Sequence, residues 1–402
     1  MSSCQSRTGS LASPTKAALP GSSSLHTSLL GGLLTLAALL ASSAPVRAQN
    51  DPKFVIRQDC QAFDISPNNE IVYAVPHLKS IKRLVIERDD ISIASAGGKD
   101  RRIVEADKFM PIPPIGGFAV NSLTWSPDGR QIAADITLLQ PPPNFDPNDK
   151  NKKRGHQDEI ERERGDDAPI QNVGGGKAVL LLDDNGREIK VAGSKSRFIE
   201  NAWGATWLAD GSAVYLTQGE PIRIVRVRPV EGETTTLFAS HSFDAVVWDA
   251  ARNRAFAVGE NLSVRGRLAL VQLDLLKETV TVLRQLQNFQ GQLTLSPSGD
   301  KVAFFEDGDT IRVIDLANAA KDTSVHAGLG RFQFGRDETR ILLKRGPDNQ
   351  SGDLVWVGLD DGSFRPVLHD LEFHAFKIAP DGESIAVAEP GKEILSVYPL
   401  EQ

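Results

Sequence analysis

The residue types that could do chemistry in this chain are few and widely spaced. Six of its seven histidines, His77, His156, His241, His326, His369 and His374, show no H-x-x-x-H spacing that would place two imidazoles on one metal. Asp146, Asn148, Asp149 and Asn151 resemble part of a calcium loop but lack the glycine and the terminal glutamate such loops use. The two cysteines, Cys4 and Cys60, rule out a disulfide scaffold and any C-x-x-C zinc knuckle. No G-x-S-x-G nucleophile elbow occurs. These residues predict no catalytic, cofactor or metal site. His369 and His374 flank the last link between repeats and are candidates to face a central channel. Cys60, a lone thiol after residue 48, is expected to be buried and structural.

What would position functional residues is a repeat. A short apolar strand, a tight turn and a second apolar strand recur seven times. The copies start at Ala62, Leu123, Ala205, Val246, Leu293, Phe332 and Phe376. Aligned on the second turn residue (Pro67, Pro127, Ala209, Ala250, Pro297, Arg336, Pro380), the intervals are 60, 82, 41, 47, 39 and 44. In Ser126-Pro127-Asp128-Gly129 the proline has its φ preset for a type I turn, and the glycine takes the left-handed position after it. Third strands are predicted at Arg83–Ile86, Val179–Leu182, Ile222–Val227, Leu268–Leu273, Ile311–Ile314, Leu354–Val357 and Ile394–Val397. Fourth strands are predicted at Arg102–Val104, Arg187–Val191, Thr234–Phe238, Val280–Leu283 and Phe364–Leu368. Asp183-Asp184-Asn185-Gly186 reads as a hairpin turn in which Asn-Gly supplies two positive-φ residues.

Four antiparallel strands per unit of ~40–45 residues, repeated around a ring, make a β-propeller. The predicted fold is all-β, a seven-bladed propeller of four-stranded antiparallel blades. Strands apolar on both faces, such as Val179-Leu180-Leu181-Leu182, fit sheets stacked face to face. Trp125, Trp207 and Trp248 fall just before the turns and read as packing residues of inner strands. The last copy lacks an outer strand, and Lys53–Arg57 precedes the first complete unit. Pairing of strand 53–57 with the C-terminal blade is therefore predicted to close the ring and remove its open edge.

The turn at Ser126–Gly129, with its variants Ser296–Gly299 and Ala379–Gly382, resembles the repeats of TolB-like periplasmic propellers. The likeness covers roughly residues 53–402. It implies a non-catalytic binding module of the bacterial envelope. Similar repeats precede the hydrolase domain of prolyl oligopeptidase-type peptidases, whose nucleophile motif this chain lacks.

Residues 1–48 read as a secretory signal. Arg7 and Lys16 precede the apolar run Leu29–Ala41, which is too short to span a bilayer, and Val46-Arg47-Ala48 offers small residues at the cleavage positions. No later segment is apolar enough to span a membrane, so the expected product is exported, periplasmic or extracellular, and monomeric. Lys+Arg 45 against Asp+Glu 52 gives a net charge of −7, which leaves no basic footprint for nucleic acid. Removing residues 1–48 takes three cations and no carboxylate, so the remainder is more acidic.

The two long intervals mark the candidate site. Residues 140–176 interrupt blade two, and residues 105–119 lengthen the link from blade one to blade two. In a propeller both leave from the same face. Phe109, Met110, Ile112 and Ile115 in one, with Phe145, Lys152, Lys153 and Arg154 in the other, form a candidate partner-binding rim. A loop of ~37 residues costs only about 2 kcal/mol more to close than one of ~4, so a tolerated, unselected loop stays open as an alternative. The expected function is a protein-binding or scaffold propeller. The competing reading is an enzyme of the sugar-lactone hydrolase type that uses the central channel.

Overall fold

The computed structural model describes residues 51–58, 60, 62–81, 84–95, 97–105, 117–140, 173–260, 262, 266–318, 322–328, 330–346, 351–389 and 392–401. These form seven four-stranded antiparallel sheets, the blades of a propeller. Six take their strands in chain order: Phe63–Val104, Gly117–Glu200, Ala202–Ser240, Ala245–Leu286, Leu293–His326 and Phe332–Glu372. The seventh consists of Ala375–Ile378, Ser384–Glu389 and Ile394–Pro399, with Phe54–Ile56 as its outer strand. First strands of neighbouring blades touch, so they line the centre. The closing strand pairs antiparallel, Phe54 with Val397, Val55 with Ser396 and Ile56 with Leu395.

The turns that carry the repeat differ in length from four to six residues but share one hydrogen bond and one backbone conformation in all seven blades. A backbone N–H donates to the carbonyl three residues earlier at Asn69, Gly129, Gly211, Asn253, Gly299, Glu338 and Gly382. Each of these seven residues has positive φ, from 51° to 76°. Glycine fills that position in only four copies, yet the ladder on either side imposes the same conformation on Asn69, Asn253 and Glu338. Asparagine tolerates it through local hydrogen bonding, and glutamate adopts it at some cost. Ser126 shows how the turn is tied down, because its Oγ accepts from the N–H groups of Arg130 and Gln131 at 3.1 and 2.9 Å.

The core lies between blades rather than at one centre. Ala133, Val179 and Leu181 of the second blade pack on Trp207, Tyr215 and Val225 of the third. The opposite face of that second blade, with Leu123, Ile132 and Leu180, packs on Val72, Ile91 and Ile93 of the first. Trp125 and Trp207 are buried, as packing residues should be, and the Trp248 indole N–H donates to Gly204 O at 2.9 Å. Cys60 is buried, with Sγ 3.5 Å from Ala62 O.

Four outer strands share a device the residue pattern does not announce. Ile103, Leu237, Leu283 and Val367 are each skipped in the pairing with the third strand. Each is an extra residue in a β-bulge. The bulge turns two consecutive apolar residues, such as Val367 and Leu368, into the packing between blades.

Three strand predictions need correction. The third strand of the first blade is Leu84–Ala94, not Arg83–Ile86. Its ladder with Ile71–Ile81 runs eleven residues to a two-residue connection, so the strand starts outside the blade and crosses it as Ile91–Ala94. The fourth strand of the second blade is Ile199–Glu200, not Arg187–Val191. Only Glu188 bridges to Leu182, and then the chain swings away so that Ala192 N donates to Pro229 O of the third blade at 2.8 Å. In the turn before it only Gly186 has positive φ, because Asp183 Oδ1 accepts from the N–H groups of Asn185 and Arg187 and holds a different turn. The fifth blade has a fourth strand at Asp322–His326, beyond the five fourth strands predicted from sequence.

Gly186 gives a clean test of backbone demand. Its φ is +78°, and a Cβ there would lie 2.1 Å from Ile103 O of the neighbouring blade. Gly211 has φ +76° and nothing within 4 Å of a Cβ. Gly186→Ala should cost about 3 kcal/mol and Gly211→Ala about 1 kcal/mol in urea unfolding. Equal losses would show that the blade contact at Gly186 contributes nothing.

Candidate functional site

The strand ends that flank the two insertions are neighbours in one sheet. Gly117 pairs with Leu139, Leu139 pairs with Gly174, and Gln140 pairs with Val173. The segments that leave these ends therefore start side by side. Phe109, Met110, Ile112, Ile115, Phe145, Lys152, Lys153 and Arg154 lie outside the described residues. A third departure from a plain ring adjoins them, the first blade's hairpin ribbon Pro76–Ile81 and Leu84–Asp89, which runs past its sheet. Its base is tied to the second blade, since Asp89 Oδ2 accepts from Val120 N, and both Arg88 and Asp89 are buried.

The first and last described segments lie at the other end of the strands. Lys53 N donates to Val397 O, and Leu400 N donates to Glu383 O beside the turn Ala379–Gly382. The face that bears the insertion stems is thus clear of both.

Beside those stems, a polar cluster sits between the second and third blades. Asp135, in the middle of the second blade's second strand, accepts from Ser122 Oγ at 2.7 Å, Gly204 N at 2.9 Å and Ala205 N at 3.1 Å. Its carboxyl is held above the ordinary 3.8 chiefly by burial, against the pull of these donors and of the Lys177 charge. Lys177 is exposed, with Nζ 5.1 Å from the centre of the Trp203 ring. The only sign of this cluster in the sequence is an acid inside an otherwise apolar strand, Ala133-Ala134-Asp135-Ile136.

A raised carboxyl binds its proton more tightly in the folded state than in the unfolded one. Stability therefore rises as pH falls through the raised midpoint, and the gain is complete below 3.8. The wild-type protein should gain stability relative to Asp135→Asn over that window in denaturant titrations. A flat difference between the two would contradict the assignment.

Around the centre, the polar groups are engaged in joining blades. Asp64, buried on the first blade's inner strand, accepts from Trp125 N at 2.7 Å and contacts Lys377 Nζ of the seventh blade. The Gln292 amide accepts from Phe332 N at 3.1 Å and donates to Phe332 O at 2.5 Å. Gln333 repeats the clasp one blade on, accepting from Ile378 N and donating to Phe376 O, both at 3.0 Å.

His369 does not face the channel. It lies on the outer strand Phe364–Glu372, with Nδ1 3.4 Å from Asp353. His326, also on an outer strand, has Nε2 2.9 Å from Asp309. His374 N donates to Ala388 O at 3.2 Å just before the last inner strand. Among the described residues no three His, Cys, Asp or Glu side chains come together as metal ligands. A shallow depression on the sixth blade, floored by Val355, Phe364 and Pro366 and rimmed by Arg345 and His369, sits toward its outer edge.

No family model matches the chain, and no curated protein resembles it in sequence. Among solved structures it is similar to the β-propeller domain of Cps50 (Swd1) from Myceliophteria thermophila, with a TM-score of 0.54 and 12% identity. The match covers 87% of this chain and 100% of that one, and it establishes the shared seven-bladed fold.

Proposed function

We propose that this protein is an exported, non-catalytic β-propeller that binds a protein partner through the face formed by its first and second blades, in the manner of TolB-like modules. The observation that carries the reading is the adjacency of Gly117, Leu139 and Gly174: two insertions separated by the single hairpin Gly117–Gln140 leave the ring from one place. Functional loops on a rigid scaffold are commonly grouped in this way. The Ser-Pro-Asp-Gly turns support the TolB-like assignment, and residues 1–48 support export. A sugar-lactone hydrolase would need acid, base or metal-ligating groups converging from several blades. The inner-strand groups Asp64, Gln292, Gln333 and Lys377 are instead tied into contacts between blades.

The test compares the full-length chain with a variant in which a short turn joins Gln140 to Val173. Because those residues are cross-strand neighbours, the variant should unfold at the same temperature. Quantitative affinity capture from envelope extract should recover a partner with the full chain and lose it with the variant. Equal recovery, or none with either, would refute the reading. Residues 1–48 fused to a reporter active only after export test the address independently.

A further inference from the structure

We propose that the open edge of the second blade's third strand, at Val173–Lys177, takes up an extended acidic segment of a partner protein as an added β-strand. The proposal rests on the reading that this face binds a partner, and it supplies the mode and chemistry of binding.

The third strand of that blade runs eleven residues, Val173–Asp183, but its fourth strand has only two. Ile199 and Glu200 cover Val179 and Ala178 and nothing beyond them. Fourth strands of the next two blades, Glu233–Ser240 and Thr279–Leu286, have eight residues each. On its inner side Val173–Lys177 is paired, through Val173 with Gln140, Gly174 with Leu139 and Lys177 with Thr137. Along its outer side, among the described residues, no strand pairs with it. The edge therefore presents unpaired backbone donors and acceptors, the template on which strand addition works, with a bulge at Gly175–Gly176 where two residues oppose Leu138.

Two features make this edge more than a frayed end. Gly174-Gly175-Gly176 is a poor sequence for holding a strand and a good one for letting another backbone approach. A Cβ on Gly176 would meet only Asn201 Oδ1, at 3.7 Å. The second feature is a charge left available. Lys177 is held over the Trp203 ring, and its charge acts on Asp135 without a salt bridge to it. The nearby Asp135 already takes three donors, from Ser122, Gly204 and Ala205. A side chain opposite Lys177 on an added strand would share its face of the sheet and reach the ammonium. An aspartate or glutamate there forms a charge-assisted contact beside an indole, where a lysine or arginine would be repelled.

The probe is a displayed library of random linear decapeptides selected on the full-length protein, with the enriched peptides then synthesised and titrated. The expected winners carry an acidic residue and no proline. Lys177→Gln, an exposed change that should lower the unfolding temperature only slightly through its lost contacts with Trp203 and Asp135, is expected to weaken them about tenfold. N-methylating the alternate backbone amides that face the edge should abolish binding, whereas methylating the other set should change it little. No enrichment, binding indifferent to N-methylation, or equal affinity for Lys177→Gln would each overturn the proposal. Capture only by the variant lacking 141–172 would overturn it in favour of an internal occupant. Failure here with partner capture through 141–172 intact would leave the broader reading standing. Peptide binding without any captured partner would do the reverse.

Discussion

Deleting residues 49–57 is expected to lower the stability of the propeller by about 5 kcal/mol, a fall of about 10 °C in the unfolding midpoint. The segment is short, but it supplies the outer strand of the last blade, and its side chains belong to the core between the seventh and first blades. Ile56 is buried there with Cys60, Ile65, Tyr73, Ala386 and Val397, and Phe54 packs on the same cluster and against Gly98. Burying each large apolar side chain contributes about 2 kcal/mol, and the lost ladder adds to that. The deletion also bares Ile394–Pro399 as an open edge, so the shortened protein should associate at concentrations where the intact one does not. Differential scanning calorimetry and size-exclusion chromatography read the two effects. Adding a peptide spanning Asp51–Arg57 should restore part of the midpoint. A deletion variant that melts with the full chain and stays monomeric would mean that the ring holds without its latch.

The second large effect is expected at Asp64. This carboxylate is 3% exposed and joins three blades, accepting from Trp125 N, from Ile65 N at 2.8 Å and from Lys377 Nζ. Asp64→Ala leaves the Trp125 N–H buried without its acceptor, while Lys377, 41% exposed, can turn to solvent, at a total cost of about 3 kcal/mol. Asp64→Asn keeps one acceptor oxygen and should cost about 2 kcal/mol. Lys377→Met should cost less than Asp64→Ala, because the carboxylate keeps both backbone donors. The double variant Asp64→Asn/Lys377→Met should lose less than the sum of the singles, since both act on one contact. Chemical denaturation of the four proteins decides the order. Equal losses for alanine and asparagine would show that the acceptor oxygen contributes nothing.

The two predictions differ in how much of their basis could be read from residue order. The latch was legible: a blade without a fourth strand at one end of the chain and a lone strand at the other. The Asp64 junction was not, because one aspartate before a turn looks like any other until three blades meet around it. The candidate face shows the same division. That two long intervals flank the second blade's first hairpin could be counted from the sequence, and the strand ends there, Gly117, Gln140 and Val173, are neighbours. That Asp135, Lys177 and Trp203 assemble beside them depended on which strands of different blades come together.

The number of blades, the order of strands and the closure could all be read from residue order. These rest on turns whose chemistry is complete within four residues, so Ser126-Pro127-Asp128-Gly129 specifies its hairpin wherever it lies. Even the degenerate copies with Asn69, Asn253 and Glu338 were found by their period, and the pairing strands then drew them into the same conformation. How far each outer strand runs depends instead on the assembled ring. The outer strand of the second blade has only two residues because the chain before it is drawn off to Pro229 of the third and rejoins the sheet at Ile199, and four others carry a bulge where apolar neighbours must both reach the core. Outer strands pair on one side only, so their extent is set by contacts with adjacent blades, and those contacts exist only once the ring has formed.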